Sequence, residues 1–395
     1  MILSGRTIIL GVTGSIAAYK AAELASWLVQ REANVNAIMT EAAMRFISPL
    51  TFRSLTGRPV VTGMFDFNAE FSIEHISLAE AADIVVIAPA TANIIAKLAA
   101  GLADDILCST VLATRSPVVI APAMNVNMYE NRATQNNLSE LKSRGFIVVG
   151  PDTGRLASGE TGSGRFTDIS NIAGAICQVL GRNGDLAHKH IVVTAGGTQE
   201  PIDPVRYISN RSSGKMGYAL AEAARDRGAE VILITAPSSL IKPYGVELYS
   251  INTAQEMYQA VRDIAPHADA LIMAAAVADY RPANVAKDKI KKANSSLTLN
   301  LVNTLDILDN VKGDFVRVGF AAESEHLVEN AKAKLQRKNL DLIIANDITA
   351  EGSGFGADNN KVILIGRGDA KNKLPLLPKR EVADKILDEV AALLP

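Results

Sequence analysis

The sequence predicts an α/β protein built from two doubly wound parallel-sheet domains in tandem, and three observations predict it. Near-continuous Val/Ile/Leu runs alternate with helical patterns along the 395 residues, as expected of strands buried on both faces by crossover helices. The chain also opens twice in the same way: a strand, a glycine-rich turn, a helix, a short turn (31–35 and 227–231) and a second strand. Finally, 48% of the residues are hydrophobic but only 5% aromatic, which suits Ala/Val/Ile-rich layers rather than a β-sandwich.

In the first half, strands are expected at 8–12, 34–39, 83–90, 116–124 and 146–151. In the second half they are expected at 190–196, 230–235, 268–277, 315–321, 340–347 and 361–366, all in parallel sheets. CQVLGRNGDLAHKH (177–190) reads as a linker of glycine and mixed charge. It puts the boundary near residue 186 and the domains at 1–186 and 187–395. LASGETGSGRF (156–166) reads as a loop that closes over a ligand, because glycine gives up too much backbone entropy in a helix or packed strand.

Forty basic against 42 acidic residues leave a formal charge of −2, with no basic patch interleaved with aromatics to hold nucleic acid. No apolar run reaches the ~18 residues of a membrane span. The start, MILSGRTIILGVTGS, lacks the layout of a signal peptide, so a cytoplasmic protein is expected. The two cysteines, Cys108 and Cys177, sit in apolar surroundings and read as buried thiols of a reducing compartment.

GVTGSIAAYK (11–20) places Gly14 and Ser15 at the expected start of a helix. Ser15 reads either as a simple N-cap or as part of a phosphate cradle, where free helix amides and a positive dipole favour an anion. A dinucleotide fingerprint needs G-x-G-x-x-G and an acidic residue closing the second strand. Here the spacing is G-x-x-G and strand two ends in Met39–Thr40, which favours a mononucleotide-type phosphate with Thr40 as a further hydroxyl. Thr91 and Asn93 end the third strand, where a flat ring or its polar tail could be hydrogen-bonded. His75 precedes the helix feeding that strand and reads as structural or functional. Asn125 ends the fourth strand as a turn former or a ligand.

The second half repeats the theme with a longer loop. Arg206, Asn210, Arg211, Ser212, Ser213, Gly214 and Lys215 precede a helix. They form either a solvated loop or an anion site. This is not a Walker A motif, since GKMG lacks the upstream glycine spacing and the hydroxyl after lysine. The small residues of AAAVADYRP (274–282) let a ligand approach the backbone. Asp279 then either pairs with the lysines of KDKIKK (287–292) or holds magnesium on a triphosphate.

Together, His75, PAMNVNM (122–128) and the GSGR ending of the glycine loop (162–165) resemble the flavin-dependent cysteine decarboxylases. GSIAAYK, APATANIIAKLAAGLADD and PAMNVNMY extend the resemblance over about 5–180 to the phosphopantothenoylcysteine decarboxylases. It implies a flavodoxin-like/Rossmann-like domain whose FMN contacts include Gly14, Ser15, Thr40, Thr91, Asn93 and Ser109. It makes His75 the active-site base, Asn125 the ligand of the substrate carboxylate, and 156–166 a clamping flap. That family carries a proton-donating cysteine where this chain has Ser158, and a hydroxyl is a far weaker acid than a thiol of pKa ~8.5. An introduced substitution, a natural variant with another donor, and loss of the decarboxylase activity remain open; His75 and Asn125 rank loss last.

DPVRYISNRSSGKMG (203–217), AAVADYRP (275–282), KIKK (289–292), GFAAE (319–323) and NLDLIIAND (339–347) resemble the phosphopantothenate–cysteine ligases over about 188–395. The two halves together are similar to the bifunctional coenzyme A biosynthesis family. The resemblance implies a Rossmann-like ligase domain that uses CTP and Mg2+ to form an acyl-cytidylate, which cysteine then attacks. Asn210 and Arg206 hold that intermediate and Lys289 serves its formation. Ala275, Ala276, Asp279, Lys289, Phe320 and Lys338 line the CTP site, with Asp279 on the metal. NTLDIL (303–308) has leucine where the family more often has proline before the aspartate. The implied partners are 4′-phosphopantothenate, cysteine and CTP, within a homo-oligomer. The alternative is a working ligase whose first half only binds flavin or a partner.

Overall fold

A computed structural model describes residues 2–64, 74–292, 296–323, 326–347, 352, 354, 356–368 and 371–395. The chain divides into two units, Met1–Gly181 and Arg182–Pro395. No helix of the described residues is long and apolar enough to cross a membrane.

In the first unit the apolar runs form β1 (Thr7–Val12), β2 (Asn34–Met39), β3 (Ile84–Ala90), β4 (Val118–Pro122) and β5 (Ile147–Val148). They make one parallel sheet in the order β2-β1-β3-β4-β5. Every residue of β3 and β4 is buried, because helices cover both faces and leave no position for alternating polar side chains. The order reverses between β1 and β3, which opens a crevice at their carboxyl ends.

The segment read from sequence as a loop is in part a strand. β6 (Asp152–Arg155) and β7 (Thr161–Arg165) pair as an antiparallel hairpin. Glycine is used there for close approach rather than freedom alone. Gly164 has φ +131°, and a Cβ on it would stand 2.4 Å from the Met124 carbonyl oxygen. The Met124 amide donates to the Gly164 carbonyl at 3.0 Å, so the hairpin is laced directly to the end of β4.

The stretch read as a linker is structured as well. Residues up to Gly181 finish the helix Ile169–Gly181, and Leu186 is fully buried in the core of the second unit.

The second unit contributes β8 (His190–Ala195), β9 (Gln199–Pro201), β10 (Tyr207–Ser209), β11 (Glu230–Thr235), β12 (Glu247–Ser250), β13 (Ala270–Met273), β14 (Tyr280–Pro282), β15 (Leu301–Asn303), β16 (Val316–Glu323), β17 (Leu342–Asp347), β18 (Asn359–Asn360), β19 (Val362–Gly366), β20 (Lys371–Lys373) and β21 (Leu377–Pro378). The main sheet runs β12-β11-β8-β13-β16-β17-β19-β20. Its first six strands are parallel, but β19 and β20 join antiparallel, against the all-parallel expectation. A parallel return after β17 needs a crossover helix, and the order of described elements passes from β17 to β18 and β19 without one. Here too the order reverses beside the first strand, between β8 and β13. Three small antiparallel strand pairs, β9/β10, β14/β15 and β18/β21, complete the strands of this unit.

Candidate functional site

In the first unit the crevice between β1 and β3 is built from hydroxyls. Thr13 Oγ1 donates to the Pro89 carbonyl at 2.7 Å and accepts from the Thr91 amide at 3.2 Å. Thr91 caps the helix Ala92–Ala100 through the Ile94 amide, and Thr40 caps Glu41–Met44 through the Ala43 amide. The helix after β1 begins at Ala18 rather than at Ser15, and its N-cap, Ala17, supplies no side-chain cap. Ser15 Oγ instead accepts from the Ala17 amide at 3.2 Å, curling the loop around the helix start. Gly14 lets this loop meet the next layer, since a Cβ there would lie 2.4 Å from Ala42 Cβ.

Ser15, Thr40 and Thr91 therefore stand at the ends of three neighbouring strands, β1, β2 and β3. Asn93 is exposed one turn on. This set of hydroxyls and helix-start amides fits the phosphate and polar tail of a flavin mononucleotide. Ser109 is buried, with Oγ donating to the Ala103 carbonyl at 3.2 Å.

Nearby, Asp104, Asp105 and Cys108 lie close enough to share an ion. Lys97 Nζ already sits 2.9 Å from Asp104 and 3.0 Å from Asp105. Burial, then the Asp105 carboxylate, pushes the Cys108 thiol up to about 12. The trio is accounted for by its own lysine.

Asn125 is the N-cap of Val126–Glu130, its Oδ1 accepting from the Asn127 amide at 2.9 Å. Its Nδ2 donates to Glu160 Oε2 at 2.6 Å, and Ser158 Oγ donates to the same oxygen at 3.2 Å. The structure thus brings Asn125 and Ser158 together through a residue that the sequence reading did not single out. His75 is half-buried in the first turn of Glu74–Ala81; residues 65–73, just before it, lie outside the described residues.

The second unit holds a cavity of about 1030 Å³ at the carboxyl ends of β8, β13, β16 and β17. One wall is Asn210–Gly217, the glycine-rich loop and the start of the helix Lys215–Asp226. The facing wall includes Ala275, Ala276 and Asp279. The two walls are tied by Asn210 Nδ2, which donates to the Val277 carbonyl at 3.0 Å, and the Ala275 amide is anchored to β8 by donating to Thr194 Oγ1 at 3.1 Å. Asp279 is exposed into this space and pairs with no cation among the described residues. One carboxylate beside room for a triphosphate matches how magnesium is held, mostly by phosphates and water.

Phe320 and Lys338 also line the cavity, as do Lys334 and Asp306. Lys338 is buried and ion-paired to Asp306 and to Asp309, the latter at 2.6 Å. Lys334 Nζ donates to the Phe320 carbonyl at 2.8 Å. The sequence reading missed Lys334; its signal was the i, i+4 spacing with Lys338 along one helix.

Arg206 and Lys289 are not among the lining residues. Arg206 donates to Asp203 at 3.1 Å and to the Ile290 carbonyl at 3.2 Å, and Lys289 is exposed beside Ile290. Burial pushes the Asp203 carboxyl up. The amides of Val205, Ile290 and Arg206 outweigh that and hold it below its ordinary range. Asp203 thus straps the lysine-bearing segment to the arginine-bearing loop.

A family model described as "Flavoprotein" matches residues 2–181, and one described as "DNA/pantothenate metabolism flavoprotein C-terminal domain" matches 186–394. The chain is 47% identical over 397 residues to the coenzyme A biosynthesis bifunctional protein of Bacillus subtilis (strain 168), covering 99% of this chain and 98% of that one. It is 46% identical over 398 residues to the protein of the same name from Escherichia coli (strain K12), with coverages of 99% and 98%. Among solved structures, the C-terminal domain of a coenzyme A biosynthesis bifunctional protein is 39% identical, covering 53% of this chain and 97% of that one, with a TM-score of 0.46. A PPC decarboxylase mutant complexed with pantothenoylaminoethenethiol is 30% identical, covering 44% and 96%, with a TM-score of 0.39. With near-complete, high-identity relatives over both halves, the chain belongs to the coenzyme A biosynthesis bifunctional protein family.

Proposed function

We propose that the chain is a bifunctional enzyme that makes 4′-phosphopantetheine in two steps: CTP-dependent ligation of cysteine to 4′-phosphopantothenate in the second half, then decarboxylation in the first. The observation that carries this reading is the 47% identity spanning 99% of the chain to a relative named for both roles. The domain assignment that goes with it is 1–186 for the decarboxylase and 187–395 for the ligase.

In the ligase half, the carboxylate of 4′-phosphopantothenate attacks the α-phosphorus of CTP, and pyrophosphate leaves. Asp279 would hold a magnesium ion, which would supply charge to offset that building on the phosphoryl oxygens, the main task in such transfers; the resemblance gives Lys289, exposed outside the lining, a part in the same step. The cysteine amine then attacks the acyl carbon and CMP departs. The resemblance assigns the acyl-cytidylate to Asn210, in the cavity wall, and to Arg206, which is bonded to Asp203 outside the lining. Ala275 and Ala276, held by hydrogen bonds to β8 and the residue after it, let the nucleotide lie against the backbone, with Phe320, Lys334 and Lys338 around it.

In the decarboxylase half, Ser15, Thr40, Thr91 and Asn93 hold FMN in the crevice. Bound there, FMN supplies the oxidising and then reducing equivalents that make loss of CO2 possible. His75 accepts the thiol proton of the substrate. Asn125 binds the departing carboxylate through a neutral amide, which adds no positive charge to resist its loss. The β6/β7 hairpin excludes water from the oxidised sulfur species, and Ser158 stands where the last proton is delivered. The reading includes a homo-oligomer, and the exposed apolar side chains Ile16, Tyr19, Phe46 and Leu50 of the first unit suit it.

The test is a mass-spectrometric time course with 4′-phosphopantothenate, cysteine, CTP and Mg2+, run beside Ser158→Cys. The expected outcome is faster 4′-phosphopantetheine formation by the cysteine variant, with an oxidised enethiol accumulating in the serine protein. Phosphopantothenoylcysteine persisting untouched in both would leave a ligase joined to a flavin-binding module.

A further inference from the structure

Glu160 is the residue on which the two flap-side functional groups meet. Gly159 sits between it and Ser158 with φ +89° and open space around its Cβ position. The Gly159 amide donates to the Leu156 carbonyl at 2.9 Å, and the Leu156 amide to the Glu160 carbonyl at 2.8 Å. That tight turn puts side chains 158 and 160 on the same side. One oxygen, Glu160 Oε2, then accepts from Ser158 Oγ and from Asn125 Nδ2 at 3.2 and 2.6 Å. A carboxylate seated on the Asn125 amide is the arrangement that the substrate's own carboxylate would need.

We propose that Glu160 is a built-in stand-in for the substrate carboxylate, an internal competitor that occupies the Asn125 amide until an acyl-cysteine carboxylate displaces it. This rests on the reading of Asn125 as the carboxylate ligand. A ligand without a carboxylate has nothing to offer Asn125 in exchange and leaves Glu160 in place. A ligand with one takes the amide, and the same displacement frees the hydroxyl of Ser158. Every carboxylate ligand thereby competes with a residue of the chain itself, and its apparent affinity is scaled down to the fraction of protein in which Glu160 is unseated.

The experiment measures equilibrium binding to the FMN-loaded full chain of two thiol-free ligands that cannot be turned over. These are 4′-phosphopantothenoylalanine and its decarboxylated counterpart, 4′-phosphopantothenoyl ethylamide. Glu160→Ala is expected to bind the alanine ligand about fivefold more tightly, the size of an exposed charge-assisted contact, with the ethylamide unchanged. Glu160→Gln, which keeps the shape and an acceptor but loses the charge, is expected to fall between.

Equal changes for both ligands, or no change for either, overturn the proposal, because a merely structural role for Glu160 does not discriminate by carboxylate. Asn125→Ala separates the levels of the reading. If it weakens the alanine ligand while Glu160→Ala changes nothing, only the stand-in role fails. If it leaves the alanine ligand untouched, the role of Asn125 fails and the proposal falls with it.

Discussion

Asn125 carries two hydrogen-bonding tasks with one side chain. Its oxygen closes the first turn of Val126–Glu130 and its nitrogen faces the hairpin. The amide is thus held in a fixed orientation before any ligand arrives, which is what a carboxylate-binding group requires. His75 has a different character, since it sits half-buried at the first turn of a helix, where a proton acceptor can face a ligand. Replacing it with asparagine is expected to slow decarboxylation by about 10²–10⁴-fold, the usual contribution of a positioned base. Ligation in the same preparation, followed by CMP release, should be unaffected. Why Glu160 was not legible at this scale is clear from its neighbours. Nothing in the string SGET marks the turn at Gly159 that aims side chains 158 and 160 at one point.

At the scale of elements, the parallel strands were legible because burial on both faces writes itself as Val/Ile runs. The hairpins were not. β7 reads TGSGR, which lacks apolar content; Gly164 admits the Met124 carbonyl and Gly162 the Val126 side chain. Gly164→Ala is expected to cost about 1–3 kcal/mol locally and to impair decarboxylation while sparing ligation. Hydrogen exchange across 152–165 would rise in that variant, and its failure to rise would count against the close-approach argument. In the ligase half, Arg206 and Lys289 were read as serving the acyl-cytidylate and its formation, yet Asp203 binds Arg206 and the Ile290 amide next to Lys289. Asp203→Asn is expected to reduce CTP-dependent ligation and leave decarboxylation of supplied phosphopantothenoylcysteine intact. The folded-state pKa of Asp203 is depressed, so the strap is present above the ordinary carboxylate value near 3.8 and lost as pH falls below it. Fluorescence-monitored acid unfolding should show that acid-side loss in the parent protein and a flatter profile in the variant.

For the whole molecule, two openings of the same kind give two switch-point crevices, each in a unit with its own core. CTP with Mg2+ is therefore expected to slow amide exchange in 210–217, 273–280 and 303–308, and FMN in 11–18 and 90–95. At a hundredfold excess over Kd, each ligand stabilises its own unit by about 2.7 kcal/mol. Exchange protection that ignored these boundaries would contradict the assignment of ligands to crevices. The tandem plan was legible because it repeats; the antiparallel edge β19–β20 was not, since nothing in VILIG encodes direction. The serine at the hairpin tip has a further consequence for the chain as a whole. Its two thiols, Cys108 and Cys177, are both buried. Peroxides and electrophiles attack exposed thiolates, and this protein presents none at position 158. A hairpin tip with serine at position 158 is thus closed to sulfenic-acid and disulfide formation there.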